Sequence, residues 1–212
     1  MVAWVGSLLL VFSPIWAVSR NAITVVHEGG HAFVGILFGR RISGIKLHSD
    51  TSGVTISRGN PRGLGMVFTT AAGYTSPALL GLGIQYLSSS GRVLLGITIL
   101  ATFLAVIFLS VRNFWGFLVV IPLLVGFYFT FLVSPEMQAF LLIFIATFLT
   151  VASLKPIVEL QILRRQREAE DSDADQLASL TLIPGVVWVG YFFLVSITAN
   201  GITIWLQIST VT

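Results

Sequence analysis

Two histidines four residues apart enclose a glutamate and two glycines in the run Val26-His27-Glu28-Gly29-Gly30-His31-Ala32. On a helix, residues at that spacing share one face about one turn apart, so both imidazoles can be directed at a single Zn²⁺. Glu28 then stands beside the ion, placed to take a proton from water that the ion has acidified and to hand it to a leaving amine. The spacing therefore predicts metal-assisted hydrolysis, with His27 and His31 as ligands and Glu28 as general base. The surroundings strengthen that reading. The three residues lie inside an apolar run, where ionisable side chains are costly unless paired, hydrated or metal-bound, and so mark function by default.

A catalytic zinc generally has three protein ligands and one open position. The chain has no cysteine, so the third ligand must be His48 or a carboxylate. His48 falls in a segment of hairpin character, where a lone histidine is more often a surface residue. Asp50 opens the run Asp50-Thr51-Ser52-Gly53 and is the expected turn former there. Asp171, Asp173 and Asp175, just before the last apolar run, are the remaining candidates. Gly29 and Gly30 strip side chains from part of the helix surface, which suits either close helix packing or the approach of a substrate backbone.

The elements that must position these residues are those of a membrane protein. Of 212 residues 55% are hydrophobic and 10% charged, and a mean hydropathy of +0.93 exceeds what a soluble domain of this size buries. The fold expected is an all-α polytopic bundle forming one unit over residues 1–212. Apolar runs long enough to approach a bilayer's hydrocarbon thickness cover Val2 to Val18, Ala22 to Phe38, Leu64 to Leu87, Val93 to Val111, Phe114 to Val133, Met137 to Leu154 and Leu182 to Leu206. Only Ser19-Arg20-Asn21 separates the first two, which are either two spans or a span with a re-entrant companion, so six or seven transmembrane helices are expected. The first run lacks a basic leading region and reads as a retained span.

Seven alternating spans divide the Lys and Arg residues ten to two, with only Arg20 and Arg92 in the smaller set. That imbalance puts Arg40 to Arg62 and Lys155 to Ser179 in the cytoplasm. Between Arg40 and Arg62, alternating Ile42, Leu47, Val54 and Ile56 around turn residues predict a β-hairpin after the zinc helix. Lys155 to Ser179 begins with amphipathic Ile157, Leu160 and Leu163 and continues into the acidic stretch Glu168 to Asp175, the pattern of a solvated segment. A net charge of +3 without a basic stripe interleaved with aromatics gives no reason to expect nucleic acid as a partner.

Taken together, three stretches resemble the site-two protease family of intramembrane zinc metallopeptidases, and within it the compact bacterial peptidase M50B-like group. They are Thr24 to Phe33 with the Gly39-Arg40-Arg41 exit and a hairpin from Gly44 to Ser57; Ala71-Ala72-Gly73-Tyr74-Thr75-Ser76-Pro77-Ala78-Leu79-Leu80-Gly81; and Ser172-Asp173-Ala174-Asp175-Gln176-Leu177-Ala178. The resemblance implies zinc on His27, His31 and a later aspartate, for which Asp173 is the best match and Asp175 the reserve, with Glu28 as base. The Asn-Pro-Asp-Gly or Leu-Asp-Gly turn of better-studied members does not occur here. It further implies a bacterial plasma-membrane enzyme embedded in the lipid bilayer, whose substrate is a membrane protein or membrane-adjacent peptide; oligomeric state is left open. Asp173 can reach the depth of His31 if Ser172 to Leu180 dips into the bundle, and the hairpin edge can then receive an extended substrate by strand addition. The competing expectation is a membrane scaffold or small transporter that retains the fold without cleaving.

Overall fold

In the computed structural model, which describes residues 2–169 and 171–209, the apolar runs form helices. In chain order these are α1 (Val2–Phe12), α2 (Trp16–Leu37), α3 (Leu64–Ser89), α4 (Val93–Ser110), α5 (Phe114–Tyr128), α6 (Pro135–Ala152), α7 (Leu154–Gln166), α8 (Asp173–Thr181) and α9 (Gly185–Ser209). Strands β1 (Arg41–Leu47) and β2 (Gly53–Arg58) follow α2. Pro14 offers no backbone N–H and disfavours helical geometry in the residue before it, so α1 stops and α2 leaves at 104° to it.

Four helical segments are long and apolar enough to cross a membrane: Val93–Ser110, Phe114–Leu132, Pro135–Gln166 and Gly185–Ser209. The bent pair α1 and α2 makes a fifth if counted as one span. The six or seven expected spans are not reached on that measure, for two physical reasons. At 11 residues α1 extends only about 16 Å. α3 has 26 residues, but Thr69, Thr70, Gly73, Thr75 and Gln85 dilute its apolarity. It packs against α2, α6 and α9, where small and weakly polar residues allow close helix approach, while Phe68, Leu79 and Tyr86 stay exposed.

Arg20 departs from its expected place. It was grouped on the side opposite Lys155 to Ser179, yet its guanidinium pairs with Glu159 of α7 at 3.1 Å. Nearby, Lys155 Nζ donates to the Val11 carbonyl at 2.7 Å and stands 4.7 Å from the centre of the Trp16 ring. The break between α1 and α2 thus lies level with the junction of α6 and α7, an arrangement that fits a re-entrant companion better than two full spans. Lys155 to Ser179 is likewise more ordered than a solvated loop. It folds as α7 and most of α8, with Ile157 and Leu160 buried beside Ala71 and Phe192 while Leu163 is exposed.

The hairpin is antiparallel, pairing Arg41 with Arg58 and Leu47 with Gly53, with an irregularity between Ile42 and Gly44. Its turn closes through His48 N–H to Ser52 O at 2.8 Å, and Asp50 Oδ1 accepts from both the amide and the hydroxyl of Ser52. Those bonds hold the Asp50 carboxyl below its ordinary pKa. Ile45 and Leu47 point into a core with Val25, Ala32, Ile107 and Val120. The outer edge of β1 is covered: Arg112 N–H donates to Ile45 O at 2.9 Å, and the Asn113 amide both donates to Leu47 O and accepts from Leu47 N–H. Among the described residues no further strand pairs with β2, so its edge stays free.

Candidate metal centre

α2 carries His27 and His31 one turn apart, as the spacing requires, and the ring of each is fixed from outside the motif. His31 Nδ1 lies 2.7 Å from the Thr69 carbonyl of α3, which can only accept, so Nδ1 bears the proton and Nε2 presents a lone pair. The His27 ring is met edge-on by Tyr74, with centroids 4.7 Å apart, and Tyr74 in turn stacks on Phe192 at 5.1 Å. α8 brings the third group. Ser172 caps that helix, Ala174 and Leu177 anchor it in the core, and Asp173 at its first position faces the imidazoles.

The three donor atoms converge. His27 Nε2 and His31 Nε2 are 3.1 Å apart, and Asp173 Oδ2 lies 3.2 Å from the first and 3.3 Å from the second. Two ligands of a tetrahedral ion at the usual zinc distances of about 2.0–2.1 Å stand about 3.3 Å apart, so the triangle has the right size. Asp173 Oδ2 is buried without a hydrogen bond, an orphan that a cation would satisfy. Two neutral imidazole nitrogens and one carboxylate oxygen are also the donor chemistry zinc prefers. Gly73 makes room for the cluster: a methyl group there would stand 2.5 Å from His31 Nε2 and 2.6 Å from His27 Nε2.

Glu28 lines the same cleft, of about 360 Å³, together with His27, His31 and Asp173. It is only 4% exposed, and the Thr55 hydroxyl of β2 lies 2.7 Å from Glu28 Oε2 as a donor. Gly53 passes directly over the Glu28 side chain, where a methyl group would come within 2.7 Å of Cγ. β2 contributes Gly53, Val54, Thr55 and Ser57 to the wall, so its free edge borders the three donors and the carboxylate.

A family model for Peptidase M50B-like proteins matches residues 1–203. The chain belongs to this family. Neither a curated protein nor a solved structure matches it.

In this M50B-like protein the other acidic and histidine candidates stand apart from the cluster. Asp175 pairs with Arg164 instead, and Asp171 lies on the cleft wall outside the group of converging donors. His48 Nδ1 contacts Ser52 Oγ at 3.1 Å within the hairpin turn that Asp50 also stabilises. Gly29 and Gly30 serve helix packing: a side chain at Gly29 would strike Phe103, and one at Gly30 would meet Ser76 and the Ala72 carbonyl. Thr55, Thr69 and Gly73 escaped the sequence reading. Each acts across a tertiary contact; Gly73 lies within Ala71 to Gly81 and Thr55 within the Gly44 to Ser57 hairpin, whereas Thr69 lies in neither stretch.

Proposed function

We propose that this M50B-like protein is an intramembrane zinc endopeptidase that hydrolyses a peptide bond in or near a transmembrane segment. The observation that carries the reading is the convergence of His27, His31 and Asp173 in a cleft that also holds Glu28. His27 Nε2, His31 Nε2 and an Asp173 carboxylate oxygen would hold the metal. When bound, zinc supplies a Lewis acid for the scissile carbonyl and lowers the pKa of water toward neutrality. Glu28 takes the proton from the attacking water and delivers it to the departing amine, leaving a carboxylate and an amine. The Thr55 hydroxyl orients the Glu28 carboxylate, and the Thr69 carbonyl keeps the His31 lone pair directed at the site.

The substrate binds as an extended strand along β2. Helical substrates unwind first, since a backbone already paired within a helix has no donors or acceptors for the edge. Six segments cross the bilayer, with α3 among them and α1 re-entrant. The hairpin and the segment from Lys155 to Ser179 face the cytoplasm of a bacterial plasma membrane, a placement supported by their concentration of arginines and lysines.

Elemental analysis of the detergent-purified protein, paired with cleavage of a candidate membrane substrate by wild type and Glu28→Gln, tests the reading. About one zinc per chain in both, with cleavage in the wild type alone, is expected. Absence of zinc from metal-replete wild type would overturn it in favour of a scaffold or transporter.

A further inference from the structure

The metal-facing aspartate sits in a place that is hard to keep still. α8 has nine residues, too few for an isolated helix to hold its shape, and Asp173 is its first residue, where helices fray. Ala174 and Leu177 anchor the helix on its core side, and the other side of its first turn is set by polar contacts.

Thr70 of α3 donates to Gln176 Oε1 at 2.7 Å on one side of that turn, and a cation from α7 holds the residues around Asp173. Arg164, in the last turn of α7, forms an ion pair with the Asp175 carboxylate, and its Nη1 donates to Ser172 Oγ at 3.2 Å. Ser172 and Asp175 are themselves joined: the serine hydroxyl donates to Asp175 Oδ2 at 2.5 Å and accepts from the Asp175 amide at 3.4 Å. The guanidinium therefore grips Ser172 and Asp175, on either side of Asp173, and fixes the backbone between them. Charge favours the arrangement at both ends, because a cation suits the C-terminus of α7 and an anion the N-terminus of α8. The guanidinium has a made place: its side chain is 17% exposed, and a methyl group on Gly185, the first residue of α9, would run into it. Arg165 and Arg167 enter no ion pair among the described residues, which sets Arg164 apart from the basic cluster around it.

We infer that Arg164 is a positioning residue for the metal centre, setting the third ligand through Ser172 and Asp175 without touching the ion or the substrate. This rests on the zinc peptidase reading and assigns a role to a residue that charge counting credits only with membrane orientation. Outer residues that orient a ligand commonly account for 10–100-fold in metal affinity.

The test measures zinc affinity of the full-length protein in detergent, by competition with a chromogenic chelator, for wild type, Arg164→Gln, Arg164→Lys and Asp175→Asn. Thermal unfolding of each metal-free protein and the visible spectrum of each Co²⁺-loaded protein are recorded alongside. Arg164→Gln and Asp175→Asn are expected to weaken zinc binding about 10–100-fold and to change the Co²⁺ spectrum, with metal-free unfolding temperatures near wild type. Arg164→Lys is expected to recover part of the affinity, since an ammonium keeps the charge but loses the planar fork. Should Arg164→Gln fail to fold, the near-isosteric Asp175→Asn carries the same prediction. Wild-type affinity and an unchanged spectrum in these variants would overturn the positioning role alone. Absence of zinc from the wild type would overturn the metal centre and the role together.

Discussion

At one end of α3, His27, His31 and Asp173 aim three lone pairs at a common point; about 20 Å along the same helix, Gln85, Trp4, Thr147 and Gln207 also bury polar atoms among helices. The second group closes on itself. Trp4 Nε1 donates to Gln207 Oε1, Gln207 Nε2 donates to Gln85 Oε1 and Thr147 Oγ1, and Gln85 passes a further bond to Ser89. Donor meets acceptor throughout, tying α1, α3, α6 and α9 together as polar residues do in membrane bundles. At the metal centre two imidazole nitrogens and a carboxylate oxygen converge within 3.3 Å, and Asp173 Oδ2 has no partner beyond the two rings. Polarity inside an apolar bundle therefore does not by itself mark a site. The mark is a set of metal-ligating atoms converging beside a cleft at the spacing a single bound cation requires.

The sharpest way to break this contrast is to remove a converging atom. His31→Ala and Asp173→Ala are each expected to reduce bound zinc from about one per chain to near none by elemental analysis. Full zinc in both would place the centre in the same class as the glutamine network. Glu28→Gln separates holding from using: zinc stays, while cleavage of a membrane substrate in a timed gel assay falls about 10²–10⁴-fold. Gly73→Ala crowds both imidazoles and is expected to weaken zinc binding about 10–100-fold in a chelator titration, with the ligands themselves intact. The smallest effect falls at the other cluster. Gln207→Leu leaves the partners of its amide unsatisfied and is expected to cost about 1–2 kcal/mol of stability, read by thermal unfolding in detergent, with zinc content unchanged.

The contrast also explains what could be read from the chain. His27, Glu28 and His31 are legible because one helical turn fixes their relation, and no tertiary information is needed. The hairpin is legible from alternation around a turn. Asp173 lies about 140 residues beyond His31, and what singled it out from Asp171 and Asp175 was a resemblance in the Ser172 to Ala178 stretch, since residue type is identical at all three. α3 falls short of the apolarity of the four other long segments because hydropathy measures affinity for lipid, and its Thr69, Thr70, Gly73, Thr75 and Gln85 are buried against neighbouring helices instead. Charge misled in the same way between Lys155 and Ser179. Glu159 and Asp175 look solvated in sequence, yet each is answered by an arginine, Arg20 and Arg164, brought from another element.

That Asp173 arrives on α8 has a consequence in time. A chain emerging from the ribosome at roughly 5–20 residues per second completes α2 with both histidines about seven to twenty-seven seconds before Asp173 appears. During that interval the two imidazoles and Glu28 are already in the bilayer with an incomplete site. The order of synthesis thus acts as a delay, and the three-donor cluster is assembled only after most of the apolar helices have been made.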